Sequence, residues 1–255
     1  MIDHLIKITT EILNSKYPEA SVIFLSGSLV RGEGTPYSDL DLVVIFDELP
    51  NPYRESFYFG GFPVEAFVHD PETLNYFLLE VDRPSGCPSL AQMVSEGVEV
   101  PQPSELSQLL KQLAVSVLAM GPPELSGEDV CRMRYTITDL VDDIRHPRSK
   151  EELVAAGTQL YAALADYYFR ANALWSAKGK AIPRVMRRVN PGLCSRYGSS
   201  FEELFVHGQP EQVIALAEEI LSSNGGFLFE GHKLKASSAC RKPLMKAGRS
   251  DPDAA

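Results

Sequence analysis

The chain has 255 residues, only four cysteines, no long apolar run and a deficit of basic residues. Cys87, Cys131, Cys194 and Cys240 lie far apart with no C-x-x-C pair. That spacing argues against a zinc site and against a disulfide framework, so a reducing, cytoplasmic setting is expected. No stretch reaches the roughly 20 apolar residues of a membrane span, and no membrane partner is expected. The segment Met1-Ile2-Asp3-His4-Leu5-Ile6-Lys7 places apolar residues beside an acid. It reads as an amphipathic first helix rather than a signal peptide. Lys and Arg number 24 against 34 Asp and Glu, a net charge of −10. Such a surface repels a polyanion and attracts a polycation, so a nucleic-acid partner is not expected. No internal repeat is present. What is there, 44% hydrophobic and 23% charged residues, suffices for one large or two modest domains with a real core.

The informative region is residues 20–70. Val22-Ile23-Phe24-Leu25 is a β-branched and aromatic run that reads as a buried strand. Gly27 ends it where the backbone turns, and Ser28 reads as the N-cap of a short helical turn through Leu29 and Val30. The free N–H groups of such a turn form an anion site. Thr35-Pro36-Tyr37-Ser38 reads as a turn and Asp39 to Phe46 as a second strand. Alternation along a strand puts Asp39 and Asp41 on one face, with Cβ atoms about 6 to 7 Å apart. That separation suits two Mg²⁺ ions spaced by about 3.5 to 4 Å. A bare D-x-D is commonly a pair of exposed aspartates at a strand start, but the preceding Gly-Ser turn tips the balance toward chemistry. Phe62 to Val68 reads as a further strand holding a single acid, Glu65. Glu65 is either an edge-strand surface residue or a third carboxylate beside Asp39 and Asp41; the preceding hairpin-like segment Phe57 to Gly61 would bring it alongside.

The pattern Gly27-Ser28, Arg31-Gly32, Asp39, Asp41, Val64-Glu65 and Val68-His69-Asp70 resembles the DNA polymerase β-like nucleotidyltransferase superfamily. Within it, the chain looks most like the branch of aminoglycoside (streptomycin and spectinomycin) adenylyltransferases. The resemblance implies an α+β fold, in which an N-terminal nucleotidyltransferase domain with a mixed β-sheet and flanking helices is followed by a C-terminal α-helical bundle. It implies Mg²⁺ at Asp39 and Asp41, with Glu65 as a third ligand or the general base. Gly27 and Ser28 would hold the phosphates of ATP, with Arg31 and Ser38 flanking them. The reaction would be in-line transfer of AMP from ATP to a hydroxyl of a small molecule, aminoglycoside-like as the leading substrate. Protein adenylylation is a related alternative, and a non-catalytic nucleotide-binding module, regulatory or half of a toxin–antitoxin pair, is another. Either a monomer or a homodimer fits.

Beyond residue 70, Pro71 to Glu80, Leu90 to Glu96 and Leu106 to Met120 read as helices, and Gly121-Pro122-Pro123 marks a boundary. The expected domains are residues 1–123, a helical substrate-binding domain over 124–235, and a disordered tail over 236–255. In the helical part, Val130, Met133, Ile137, Leu140, Val141 and Ile144 form an apolar stripe, with Asp139, Asp142 and Asp143 opposite. Those acids are either a solvated face or a wall toward the metal centre, in which case Asp142 is a second candidate base. Leu153 to Leu174 gives another stripe, with Tyr161 and Tyr168 on its edge as core residues or as a stacking shelf. The densest basic run holds Lys178, Lys180, Arg184, Arg187 and Arg188. It is either a solvated helix end or a set of phosphate contacts, for which Lys178, Lys180 and Arg184 are the candidates. Glu202 to Phe205 and Glu211 to Leu221 read as the last helices.

Overall fold

The computed structural model of the chain describes residues 2–241. The elements run α1 (Ile2–Lys16), β1 (Val22–Ser26), α2 (Gly27–Val30), β2 (Leu40–Ile45), β3 (Tyr53–Phe59) and β4 (Phe62–His69). They continue through α3 (Pro71–Tyr76), α4 (Arg83–Ser85), α5 (Ser89–Glu96), β5 (Val98–Val100) and α6 (Glu105–Met120). The helical remainder holds α7 (Gly127–Arg145), α8 (Lys150–Ala171), α9 (Ala181–Val189), α10 (Pro191–Glu202) and α11 (Glu211–Leu221). A mixed five-stranded sheet with flanking helices is thus followed by a helical region.

The strand order is β3-β4-β2-β1-β5, with β2 and β4 parallel and the other neighbours antiparallel. The two central strands are apolar on both sides because both faces are covered. Ile23, Leu25, Leu42, Val44, Ala66 and Val68 face α1, whereas Val22, Phe24, Val43 and Ile45 face Leu74, Leu90, Val94, Leu110 and Val117 of the helices after β4. The β3–β4 hairpin closes on Gly60-Gly61, both at positive φ (57° and 86°). Two consecutive left-handed residues match the twist of a two-residue hairpin loop, and glycine adopts them without a Cβ clash. This turn sets Phe59 against Phe62 and therefore Ser56 against Glu65.

Several boundaries differ from the sequence reading. The second strand begins at Leu40, so Asp39 stands on its threshold. The cap of α2 is Ser26 rather than Ser28, because Ser28 already lies inside the turn, and Ser26 caps without a side-chain hydrogen bond. The helix read over 71–80 widens into a π-helical turn at Phe77–Asp82. The short β5 and helix α10 carry too weak a periodic signal to be read. Among the described residues the four cysteines are free, and no helix is long and apolar enough to cross a membrane. Of the tail expected to be disordered, residues 238–240 form one 3₁₀ turn and residues 242–255 lie outside the described part.

The helical region has its own core, in which Ile137, Val141 and Ile144 of α7 meet Leu160, Leu164 and Tyr167 of α8 and Leu193, Tyr197 and Phe201 of α10. Tyr161 packs edge-on against Tyr197 and Phe201, with centroids 5.1 and 4.9 Å away, which makes it a core residue rather than a stacking shelf. The two parts are stitched by polar contacts to backbone. Trp175 Nε1 donates to Leu118 O at 3.0 Å, Arg170 to Pro123 O at 3.2 Å, and Ser176 N to Gly86 O at 2.7 Å.

Candidate active site

The parallel pairing of β2 with β4 sets Asp41 directly beside Glu65, and the antiparallel pairing of β1 sets Ser26 on the other side of Asp41. Residues opposite one another in a ladder share a face, so Ser26, Asp41 and Glu65 project together. Asp39 lies two residues before Asp41 and joins them. Carboxylate oxygens of Asp39, Asp41 and Glu65 lie within 4.8 Å of one another, each side chain partly buried. Glu65 is therefore not a stray surface acid.

Three acids gathered on a half-buried face repel and are poorly hydrated. The carboxyl of Asp41 titrates at about 6 instead of 3.8, driven first by burial and then by the charges of Asp39 and Glu65. The positive charges of Arg31 and Lys180 oppose that shift. The donor set fits a hard divalent cation, since it is all oxygen, anionic and convergent. Ser26 adds a buried Oγ without a hydrogen-bond partner next to Asp41. Gly27 is held at φ +86°, and a methyl group there would lie 1.9 Å from Asp41 Oδ2. The turn is glycine because the carboxylate presses against it.

Ser28 Oγ donates to Ser38 Oγ at 3.2 Å, and Ser38 Oγ accepts the Thr35 amide at 2.8 Å. The turn at Gly27–Val30 and the approach to Asp39 are thereby tied together. Arg31 closes α2 and reaches Glu33 at 3.3 Å and Glu96 at 3.4 Å. A cavity of about 490 Å³ opens there, lined by Arg31, Glu33 and Glu96 on one side and Arg184, Arg187 and Arg188 of α9 on the other. The basic run thus faces Arg31 instead of projecting into solvent alone.

Residues 6–76 match the nucleotidyltransferase domain family. That match runs from within α1 to the end of α3. Strands β1 to β4, the Gly27-Ser28 turn and the three acids fall within that match, whereas β5 lies beyond it. No curated protein matches the chain. Among solved structures, a nucleotidyltransferase-like protein from Exiguobacterium sibiricum is similar over 86% of this chain and 75% of its own, at 16% identity and a TM-score of 0.40.

Not every expected residue is brought together. Asp142 pairs with Arg145 at 3.3 Å on an exposed face of α7 and lines a separate acidic cleft with Asp139, Asp143 and Glu152. It is not gathered with Asp39, Asp41 and Glu65, because the apolar stripe that anchors α7 turns the acids away from its own core. Lys178 lines a third cavity, of about 580 Å³, with Ser85 and Asp166. One residue escaped the sequence reading: Arg54 of β3 forms an ion pair with Glu65 and stacks its guanidinium 4.8 Å from the ring of Phe67. The glycine pair at 60–61 was the available signal, since a two-residue loop fixes the pairing and puts Arg54 on the face of Glu65, two pairs further along.

Proposed function

We propose that the chain is a Mg²⁺-dependent adenylyltransferase that moves AMP from ATP to a hydroxyl of a small, cationic, aminoglycoside-like molecule. The observation that carries this reading is the convergence of Asp39, Asp41 and Glu65, together with a cavity walled by Arg31, Arg184, Arg187 and Arg188 whose Arg31 also acts on Asp41. A triphosphate brings about four negative charges, and neither carboxylates nor arginines alone would accommodate both it and its counter-ions.

Asp39, Asp41 and Glu65 would hold the Mg²⁺. When bound there, divalent cations supply Lewis-acid charge to the attacking and leaving oxygens. The amides of the Gly27–Val30 turn, Ser28, and the network through Ser38 orient the phosphates. Arg31, Lys180 and Arg184 offset charge on the β- and γ-phosphates as the α–β bridge bond breaks and pyrophosphate leaves. The acceptor oxygen forms its bond to the α-phosphorus from the opposite side. Where Glu65 is not itself a third ligand, it would be the base that takes the hydroxyl proton. Residues 1–123 carry the transfer in this reading, and residues 124–235 the acceptor.

The acceptor class is supported by charge. The acidic cleft of Asp139, Asp142, Asp143 and Glu152 shares Leu140 and Gln159 with the cavity of Asp166 and Lys178. That cavity in turn includes Ile182, next in sequence to Ala181 of the arginine-lined cavity. An acidic cleft at the far end of this chain of cavities suits a polycation.

The test is pyrophosphate release with Mg²⁺ and ATP across aminoglycosides, spectinomycin and lincosamides, with Asp39→Asn as the blank. Release with one class, absent in the blank, is expected. Release with none, despite Mg²⁺-dependent ATP binding, removes the small-molecule acceptor and turns the search to protein acceptors or a non-catalytic role.

A further inference from the structure

A second cavity lies on the same face of the sheet, toward its other end. It measures about 430 Å³ and is bounded by Tyr53 and Arg54 of β3, Phe67 and His69 of β4, Phe77 of the π-helical turn, and Met93 of α5. In the parallel ladder Asp41 pairs with Glu65, whereas His69 pairs with Ile45. Four residues separate Glu65 from His69, about 13 Å at the rise of a strand. The cavity is therefore distinct from the acid cluster, and the reading below does not depend on the reaction proposed above.

Its walls are unusually aromatic. The His69 ring meets Phe77 edge-on with centroids 4.9 Å apart, and the guanidinium of Arg54 covers Phe67. His69 is 3% exposed and its Nδ1 has no hydrogen-bond partner. Burial lowers its pKa to about 4, with Asp70 opposing, so the imidazole is neutral near pH 7 and offers one donor and one acceptor. Nδ1 is sealed from solvent, which leaves Nε2 as the ring nitrogen open to an occupant of the cavity.

The charges around the cavity are already met. Arg54 is paired with Glu65. Asp82 accepts the amides of Leu90 at 2.7 Å and Ala91 at 3.1 Å, supplying the start of α5 with the cap that Pro88 cannot give. Neither group calls for a counter-ion from an occupant. A volume in the range of small-molecule pockets, aromatic walls and a single unpaired polar group define one kind of guest.

We propose that this cavity binds a neutral, planar aromatic or heteroaromatic molecule of one or two rings, stacked among Phe67, Phe77 and Met93 and hydrogen-bonded to His69. Its occupant lies against Arg54, which touches Glu65, so the site adjoins the acid cluster without being part of it.

The experiment titrates the full chain with phenol, indole and toluene and follows the Met93 methyl and the His69 ring by NMR. Phenol and indole should give saturable shifts at both residues, with toluene weaker by about threefold to tenfold for want of the hydrogen bond. Ser89 is exposed on the rim, so Ser89→Trp should roof the cavity and abolish the shifts while leaving the thermal transition in place. Asp39→Asn should leave them unchanged, which separates this site from the nucleotide centre. Absence of saturable shifts with all three probes overturns the proposal, as do shifts that survive Ser89→Trp. Toluene binding as tightly as phenol overturns the role of His69.

Discussion

Asp41 sits where three demands meet: it is a strand residue in a ladder with Ser26 and Glu65, it is crowded by Gly27, and it is half buried among like charges. Its carboxyl ionises near 3.8 in the unfolded chain and at about 6 in the folded one. Between those values the folded state holds more protons, so Asp41 lowers stability as pH rises through this window. The penalty above it is on the order of 2 kcal/mol once partial exposure is allowed for. Without metal, Asp41→Asn should therefore melt about 4 °C or more above the wild type near pH 7.5, and level with it near pH 4. Calorimetry at the two pH values with chelator checks this, and added Mg²⁺ should raise the melting temperature of the wild type alone. Gly27 gives a second prediction. Gly27→Ala adds the strain of positive φ, about 1 kcal/mol or more, and drives a methyl into Asp41 Oδ2. Gly32→Ala carries the same backbone strain at φ +72° but meets open space. Both should lower the melting temperature, and only Gly27→Ala should also lose the rise induced by Mg²⁺. The paired aspartates were legible because a strand has a period of two; whether Glu65 stood beside them was open until the parallel pairing settled its neighbour. Ser26 was not legible, because it matters only through a partner on another strand, and Arg54 was legible only through the pairing that the Gly60-Gly61 loop fixes.

The elements show why local signals succeed or fail. Long amphipathic helices such as α7 and α8 announce themselves by repeated apolar spacing, whereas β5 has three residues and α10 carries serines and glycines along its length. The Ser28 cap was misplaced by two residues because a four-residue helix has no periodicity to fix its start. The basic run on α9 was ambiguous by sequence, since a cationic helix end is stable in solvent without a ligand. Its placement opposite Arg31 across a cavity favours anion binding over a solvated end. Arg184→Glu should then raise the KM for ATP about tenfold or more, with an effect that shrinks as salt rises, because charge at this distance is screened. A KM equal to that of the wild type at low salt would return the helix to solvent. Arg188→Glu should act in the same direction.

At the scale of the whole molecule, the acids belong to the sheet and the arginines of α9 to the helical region, so nucleotide binding depends on how the two are joined. The seam includes a few hydrogen bonds to backbone carbonyls, two of them from side chains. The single tryptophan of the chain, Trp175, supplies one of them to Leu118, at the C-terminal end of α6. Such a bond contributes about 1 kcal/mol, and its loss leaves a carbonyl with one partner fewer. Sequence could not reveal it, because neither residue belongs to a motif and they lie on different elements. Trp175→Phe keeps the ring and removes the donor. It should weaken ATP binding severalfold by letting α9 drift from Arg31, while Mn²⁺ binding to Asp39, Asp41 and Glu65, followed by electron paramagnetic resonance, stays as in the wild type. If Mn²⁺ binding falls in parallel with ATP binding, Trp175 supports the sheet itself and the seam is not what positions the basic helix. If neither changes, the remaining contacts of Arg170 and Ser176 hold the two regions without it.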